Sequence, residues 1–252
     1  MISNYVADLE GLSINYLRAG SGKPLLLLHG WPEWSYVWKP VIERLRSDFD
    51  LIAPDFRGFG DSEKTSHKPA TDASPENLAN DLYNLLDQLN IPKVGLVSHD
   101  VGSFVAQVFA RRFPERVSGL FFFNCAYPGI GARWLEPDHL LETWYQFFHQ
   151  LPWVAELIGS SRETCRIYIR EFLHHWSYQK SAFDEELELW VDNFMQPGNL
   201  QGGFNWYLSN HASRMAVIKG TAPAPPPIDL PTRIYWGEYN PLFKKTWTDR
   251  LA

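Results

Sequence analysis

Four short runs of apolar residues, PLLLLHG, FDLIAPD, KVGLVSHD and VSGLFFFN, recur along residues 24–124 with helical patterns between them, and this alternation constrains the fold more than any other feature. A strand with one wet face alternates apolar and polar side chains, whereas a strand that is apolar throughout is covered on both faces. After the second run, Ser74-Pro75-Glu76 reads as a helix start, and Leu78, Leu82, Leu85, Leu86 and Leu89 return to one side of that helix. After the third run, Phe104, Val105, Val108 and Phe109 form a second apolar stripe. Strands alternating with helices predict an α/β protein with a mostly parallel, doubly wound sheet. Ahead of it, YVADL and SINYL flank Glu10-Gly11 and predict an antiparallel hairpin.

The rhythm breaks after Pro128. From there to about residue 220 the chain carries aromatic-rich helical stretches, HLLETWYQFFHQL, ETCRIYIREFLHHW and EELELWVDNFM, with no strand pattern. The proline-rich segment TAPAPPPIDLP then leads into another strand-like run, TRIYWGE. The expected organisation is a core in two parts, residues 1–128 and 223–252, interrupted by a helical insertion at 129–222. With 252 residues, 45% of them hydrophobic, the chain is long enough to bury a full core. A formal charge of -6 without a basic block argues against nucleic acid or an anionic membrane as partner. The opening MISNYVADLEGL has no basic flank before an apolar stretch, and nowhere do about 18 apolar residues run together, so a cytoplasmic protein is expected. Cys125 and Cys165 are too few for a disulfide framework and read as buried thiols. His174 and His175 are adjacent, so they leave a helix in different directions and do not suggest a metal site. Neither metal nor cofactor is expected.

Chemistry enters with LVSHDVG, residues 96–102, where a strand ends and a helix begins at once. Ser98 and Gly102 stand two residues to either side of Asp100, and small residues there allow strand and helix to meet around a sharp turn. Such a turn presents its central side chain at the carboxyl edge of the sheet, where α/β proteins bind ligands. Taken alone, the same aspartate serves equally as a cap for the helix. Two other segments bear on the choice. His29-Gly30-Trp31-Pro32 follows the preceding strand, where the Trp31 backbone N–H meets that of Val101 as an oxyanion site, and DFRGFGDS, residues 55–62, is a glycine-punctuated loop after the next strand.

These three motifs, in this order, resemble the α/β-hydrolase fold family, over nearly the whole chain from about residue 10. Within that family, aspartate rather than serine at the turn marks the branch that attacks carbon electrophiles, as epoxide hydrolases and haloalkane or haloacid dehalogenases do. The resemblance therefore implies Asp100 as nucleophile, ionised at neutral pH without help from a base. It implies that the insertion is a cap carrying two tyrosines that protonate an epoxide oxygen. TWYQFFHQLPWVAEL resembles the stretch that holds the first, at Tyr145, and GGFNWYLSN the stretch that holds the second, at Tyr207. HGWPEWSYVW is also closer to the epoxide-hydrolase pattern. Dehalogenases of the branch place a tryptophan, or arginines, just after the nucleophile, where this chain has Val101 and Phe104. The implied substrate is a small hydrophobic or aromatic epoxide.

The remainder of the family's catalytic triad departs from pattern. The acid position reads Asn240, the alternative position after the sixth strand reads Asn124, and no histidine falls where the triad base is expected. His29 and His99 belong to the oxyanion loop and the turn, His67 to a polar loop, and His139, His149, His174, His175 and His211 to the insertion. An amide in place of the triad acid costs about 10⁴ in kcat in a serine protease. The chain stops at Ala252, inside an expected helix and without the family's last strand and helix, so an incomplete gene product or gene model, or a short form whose exposed sheet edge is rescued by a partner or by alternative packing, is expected. Three readings follow: an epoxide-hydrolase-like enzyme with impaired turnover, a catalytically dead small-molecule binding protein on the same fold, or a dehalogenase of the same branch. A serine esterase acting through Ser98 or Ser103 fits less well, because neither occupies the centre of the turn.

Overall fold

The structure is a computed structural model that describes residues 1–64 and 72–251. His67 lies outside the described residues. The chain opens with the hairpin β1 (Ser3–Leu9) and β2 (Leu12–Gly20). Glu10 and Gly11 between them both take positive φ, 54° and 94°, the two-residue turn whose twist matches that of paired strands. Five further strands follow: β3 (Lys23–Leu28), β4 (Phe49–Pro54), β5 (Val94–His99), β6 (Val117–Phe123) and β7 (Thr232–Tyr235).

The sheet runs in the order β1-β2-β4-β3-β5-β6-β7. β2 pairs antiparallel with β1 and β4, and every other pair is parallel. Successive side chains of β3 point to opposite faces, and both faces are dry. Leu26 and Leu28 join a core with α2 (Pro75–Gln88) and α3 (Asp100–Arg112), while Leu27 packs with Leu17, Leu51 and Ile42 of α1 (Lys39–Leu45). That is why these strands read as unbroken apolar runs. The start of α2 is capped as its sequence predicts: the Ser74 hydroxyl accepts from the Asn77 N–H at 3.2 Å. From β3 the chain passes to β4 on one side and then to β5 on the other, which puts a topological switch point between the carboxyl ends of β3 and β5.

Between β6 and β7 the regular elements among the described residues are all helical. After 3₁₀ turns at Pro128–Leu135 come α4 (Pro137–Thr143), α5 (Tyr145–Phe148), α6 (Val154–Gly159), α7 (Arg162–Trp176), α8 (Leu187–Met195) and α9 (Asn199–Ile218). Their aromatic side chains close on Trp31 at the end of β3, whose ring centroid lies 4.5 Å from His149, 4.8 Å from Phe172 and 5.7 Å from Tyr145. α9 meets the β4 loop backbone to backbone at Gly58 and Gly202. A methyl on Gly202 would stand 2.0 Å from the Gly58 carbonyl oxygen. β7 is the edge of the described sheet, with Tyr235 62% exposed. Beyond it the expected helix is a 3₁₀ segment, Lys245–Arg250, anchored by the buried Trp247. No helix among the described residues is long and apolar enough to cross a membrane.

The contact at Gly202 leads to a stability prediction. Gly202→Ala forces α9 away from Gly58 and destabilises the protein by about 1–3 kcal/mol, although alanine is the better helix former. Urea unfolding measures it, and an unchanged or raised midpoint contradicts the close approach.

Candidate active site

β5 ends at His99 and α3 begins at Asp100 with no loop between them. The turn is completed by Asp100 itself, at φ 46°, in the left-handed region that costs an ordinary residue about 1–2 kcal/mol. Close packing holds it there. The Gly102 N–H donates to the His29 carbonyl at 2.9 Å, and a methyl on Gly102 would lie 2.4 Å from the Leu28 carbonyl oxygen. A methyl on Gly30 would lie 2.5 Å from the Asp100 Cβ. The Ser103 hydroxyl donates to the Asp100 carbonyl at 2.7 Å and is fully buried, and Ser98 is buried in the strand below.

The Asp100 carboxyl rests between two backbone donors. Trp31 N–H reaches Oδ1 at 2.9 Å, and the Val101 N–H from the first turn of α3 also donates to the carboxyl group. Burial pushes Asp100 above its ordinary value; the two N–H groups and the neighbouring His99 oppose that shift. His99 pairs with Glu33, Nε2 to Oε2 at 3.0 Å. Burial disfavours both charges, but each partner, helped by Asp100 at His99 and by His29 and the Gly30 N–H at Glu33, outweighs it, so His99 is held above and Glu33 below its ordinary range. His29, beneath them, has a fixed tautomer. Its Nε2 accepts from the Phe56 N–H at 3.1 Å, so Nδ1 carries the proton and donates to the Gly30 carbonyl at 2.8 Å. Burial pulls its basicity down, in keeping with a neutral ring that braces the Gly30-Trp31 loop.

The DFRGFGDS loop turns out to be an anchor. Its fully buried Asp55 accepts from the Ser35 N–H, the Asn15 side-chain amide and the Asp61 N–H at 2.7, 2.9 and 2.9 Å, and a methyl on Gly60 would collide with that carboxylate. The loop thereby ties β2, β4 and the chain leading to α1 into one block under the site.

Tyr145 on α5 and Tyr207 on α9 are both buried, with ring centroids 5.7 Å apart. Together with Asp100, Val101, Phe104 and Arg214 they line a small cavity of about 20 Å³. Burial raises both phenols well above their ordinary range, and the Asp100 charge raises them further, so they stay protonated at neutral pH. On its other side Asp100 faces a cleft of about 290 Å³ lined by Trp31, Glu33, His99, Asn124 and Asn240 among others. The structure thus brings Trp31, Asp100, Val101, Tyr145 and Tyr207 to one point and sets Asn240 at the cleft beside it. Asn240 is engaged locally: its Oδ1 accepts from the Leu242 and Phe243 N–H groups at 2.9 and 2.7 Å. Asn124 Oδ1 accepts from the Gly237 N–H at 2.8 Å.

The other described histidines have their own surroundings. His149 stacks on Phe204 at 4.0 Å and meets the Tyr168 hydroxyl at 2.7 Å. His139 packs between Trp134 and Trp247, and burial holds it down to about 4. His174 and His175 do diverge, pairing with Asp184 and Glu142, each at 2.6 Å. His211 is exposed on α9. Among the described residues no cluster of three His, Cys, Asp or Glu side chains could hold a metal ion. The residues beside Asp100 in the sequence include no lysine or arginine; Arg214 reaches the cavity from α9. The available signal was its spacing, since Arg214 lies seven residues after Tyr207, two turns along the same helix face. Glu33 and Gln146 line the site as well.

Comparison with known proteins agrees with this fold. Residues 23–251 match the α/β-hydrolase fold family, and the chain belongs to it. It is 36% identical over 214 residues to the soluble epoxide hydrolase of Corynebacterium sp. strain C12, covering 82% of this chain and 72% of that protein. It is 30% identical over 236 residues to human epoxide hydrolase 4, covering 91% of this chain and 63% of that protein. The solved structure of epoxide hydrolase CorEH without ligand superposes with a TM-score of 0.79 at 30% identity, over 94% of this chain and 82% of that one. The chain is thus an α/β hydrolase similar to epoxide hydrolases.

The His99–Glu33 pair predicts a pH signature. Glu33, depressed in the folded state, contributes stability above its ordinary 4.5 that is lost as pH falls through its folded value; His99, raised, contributes below its ordinary 6.5 and loses it as pH rises through its folded value. The stability difference between wild type and Glu33→Gln is therefore largest between 4.5 and 6.5 and shrinks on both sides. Unfolding midpoints measured across pH for both proteins test this, and a pH-independent difference contradicts the pair.

Proposed function

We propose that the chain opens epoxides by attack of Asp100 on a ring carbon, with Tyr145 and Tyr207 of a helical cap protonating the departing oxygen. The observation that carries this reading is the convergence of a strained, backbone-held carboxylate and two buried phenols on one cavity. The new bond joins an Asp100 carboxylate oxygen to carbon, the ring C–O bond breaks onto the ring oxygen, and a tyrosine proton neutralises it. The product is a hydroxyalkyl ester of Asp100. The Trp31 and Val101 N–H groups then surround the ester carbonyl, where they stabilise the oxyanion that forms when water attacks. The names of the relatives support the substrate class, and the apolar and aromatic lining supports hydrophobic or aromatic members of it.

Hydrolysis of the ester is the slow step in this reading. Among the described residues that line the cleft, Asn240 stands at the acid position and the one imidazole, His99, is paired with Glu33, so neither is free to activate water at the ester carbonyl. The other reading is a binding protein that uses the same cavity without chemistry. Incubation with styrene oxide separates them by intact mass. The expected result is a persistent gain of one substrate mass, located on Asp100 by peptide mapping and abolished in Asp100→Asn. Tyr145→Phe or Tyr207→Phe slows the gain by about 10–100-fold each. Saturable binding without an adduct, and unaffected by Asp100→Ala, favours the binding protein.

A further inference from the structure

Tyr145 is an unusual acid for its task, because burial and the Asp100 charge both resist the phenolate it must become. Something must favour that phenolate at the moment of ring opening. Two side chains stand in line behind it to do so. Gln146 Nε2 lies 3.1 Å from the Tyr145 oxygen, and Gln146 Oε1 accepts from the Arg214 guanidinium. Arginine only donates, so the amide oxygen must face Arg214 and the NH₂ must face Tyr145. Gln146 therefore donates to the phenol oxygen and leaves the Tyr145 proton free for a substrate.

The surroundings make this arrangement matter. Gln146 is buried, and Arg214 lines the same small cavity as Tyr145, Tyr207 and Asp100. Among the described residues no carboxylate pairs with Arg214; the groups that act on its charge are Tyr145, Tyr207 and Asp100. Burial lowers its basicity, yet a guanidinium stays charged. A cation bonded to the acceptor end of an amide polarises the donor end, and the effect is greatest away from water.

We infer that Arg214 and Gln146 are positioning residues that act as a relay, through which the guanidinium charge stabilises the phenolate left on Tyr145 as the epoxide ring opens. The inference rests on the proposed role of Tyr145 as proton donor. In the step, the Asp100 oxygen bonds to the ring carbon, the C–O pair moves to the ring oxygen, and that oxygen takes the Tyr145 proton. The electron pair left on the Tyr145 oxygen is held by the Gln146 N–H.

Two electrophiles with a similar benzylic carbon separate this role from a merely structural one. Styrene oxide needs a proton on its departing oxygen; benzyl bromide does not. Alkylation of Asp100 by each is followed by peptide mass in the wild type, Gln146→Glu, Arg214→Met, Arg214→Lys and Tyr145→Phe. In Gln146→Glu the shape and the Arg214 contact remain, but a carboxylate replaces the donor. It is expected to lower the epoxide rate by about tenfold or more while the bromide rate stays within about twofold. Arg214→Met lowers the epoxide-to-bromide ratio in the same direction, and Arg214→Lys, which keeps the charge, recovers it toward wild type. If Tyr145→Phe lowers the ratio but Gln146→Glu and Arg214→Met do not, the relay is overturned and the proton-donor reading stands. If the variants depress both electrophiles equally, the pair is only structural and the relay is again overturned. If Tyr145→Phe leaves the ratio unchanged, or the wild type forms no epoxide adduct, both readings fall.

Discussion

The turn at Asp100 is the constraint on which the rest of the site depends. A parallel strand passes straight into a helix, and the residue at the junction must take a left-handed backbone. That conformation is held only because Gly30 and Gly102 leave room for three backbones to come together. The same crowding brings the Trp31 N–H to the carboxylate. Strain, backbone donors and presentation at the sheet edge are one geometric fact seen three ways.

Electrostatics in the site follow from burial. A carboxylate at the end of β5, an ion pair beside it, two phenols and a guanidinium all sit where water is scarce, so each group is governed by its neighbours. Glu33 and His99 cancel one another, and the Asp100 charge supports the Arg214 cation. The Asp100 carboxyl thus stands close to hydroxyls that remain protonated, the combination that the proposed opening of a strained ether requires.

Much of the fold was legible in the sequence. The unbroken apolar runs are β3 to β6, with β4 and β5 almost wholly covered while β6 leaves Ser118 and Phe123 exposed, and the Glu10-Gly11 turn is where the hairpin closes. The helix at Ser74-Pro75 begins where its cap says it must, because capping is a contact within one turn. The DFRGFGDS motif carried a weaker signal. Its spacing marked a loop, but its work is done by Asp55, whose three donors come from separate parts of the chain.

What the sequence by itself determined is local: the order of strands and helices, the sharp turn that presents Asp100, and the aromatic stretches that carry Tyr145 and Tyr207. Tertiary structure alone decided which of these meet. Glu33 reaches His99 across 66 residues, Gln146 reaches Arg214 across 68, and Gly58 admits α9 at Gly202 across 144. No periodicity encodes such pairs: the first depends on β3 lying beside β5, the second on how the helical segment packs on itself, and the third on how that segment settles over the core. Residue patterns report the nearest turn of helix or strand, while the charge and acidity of a buried group are set by whichever distant part of the chain excludes its water.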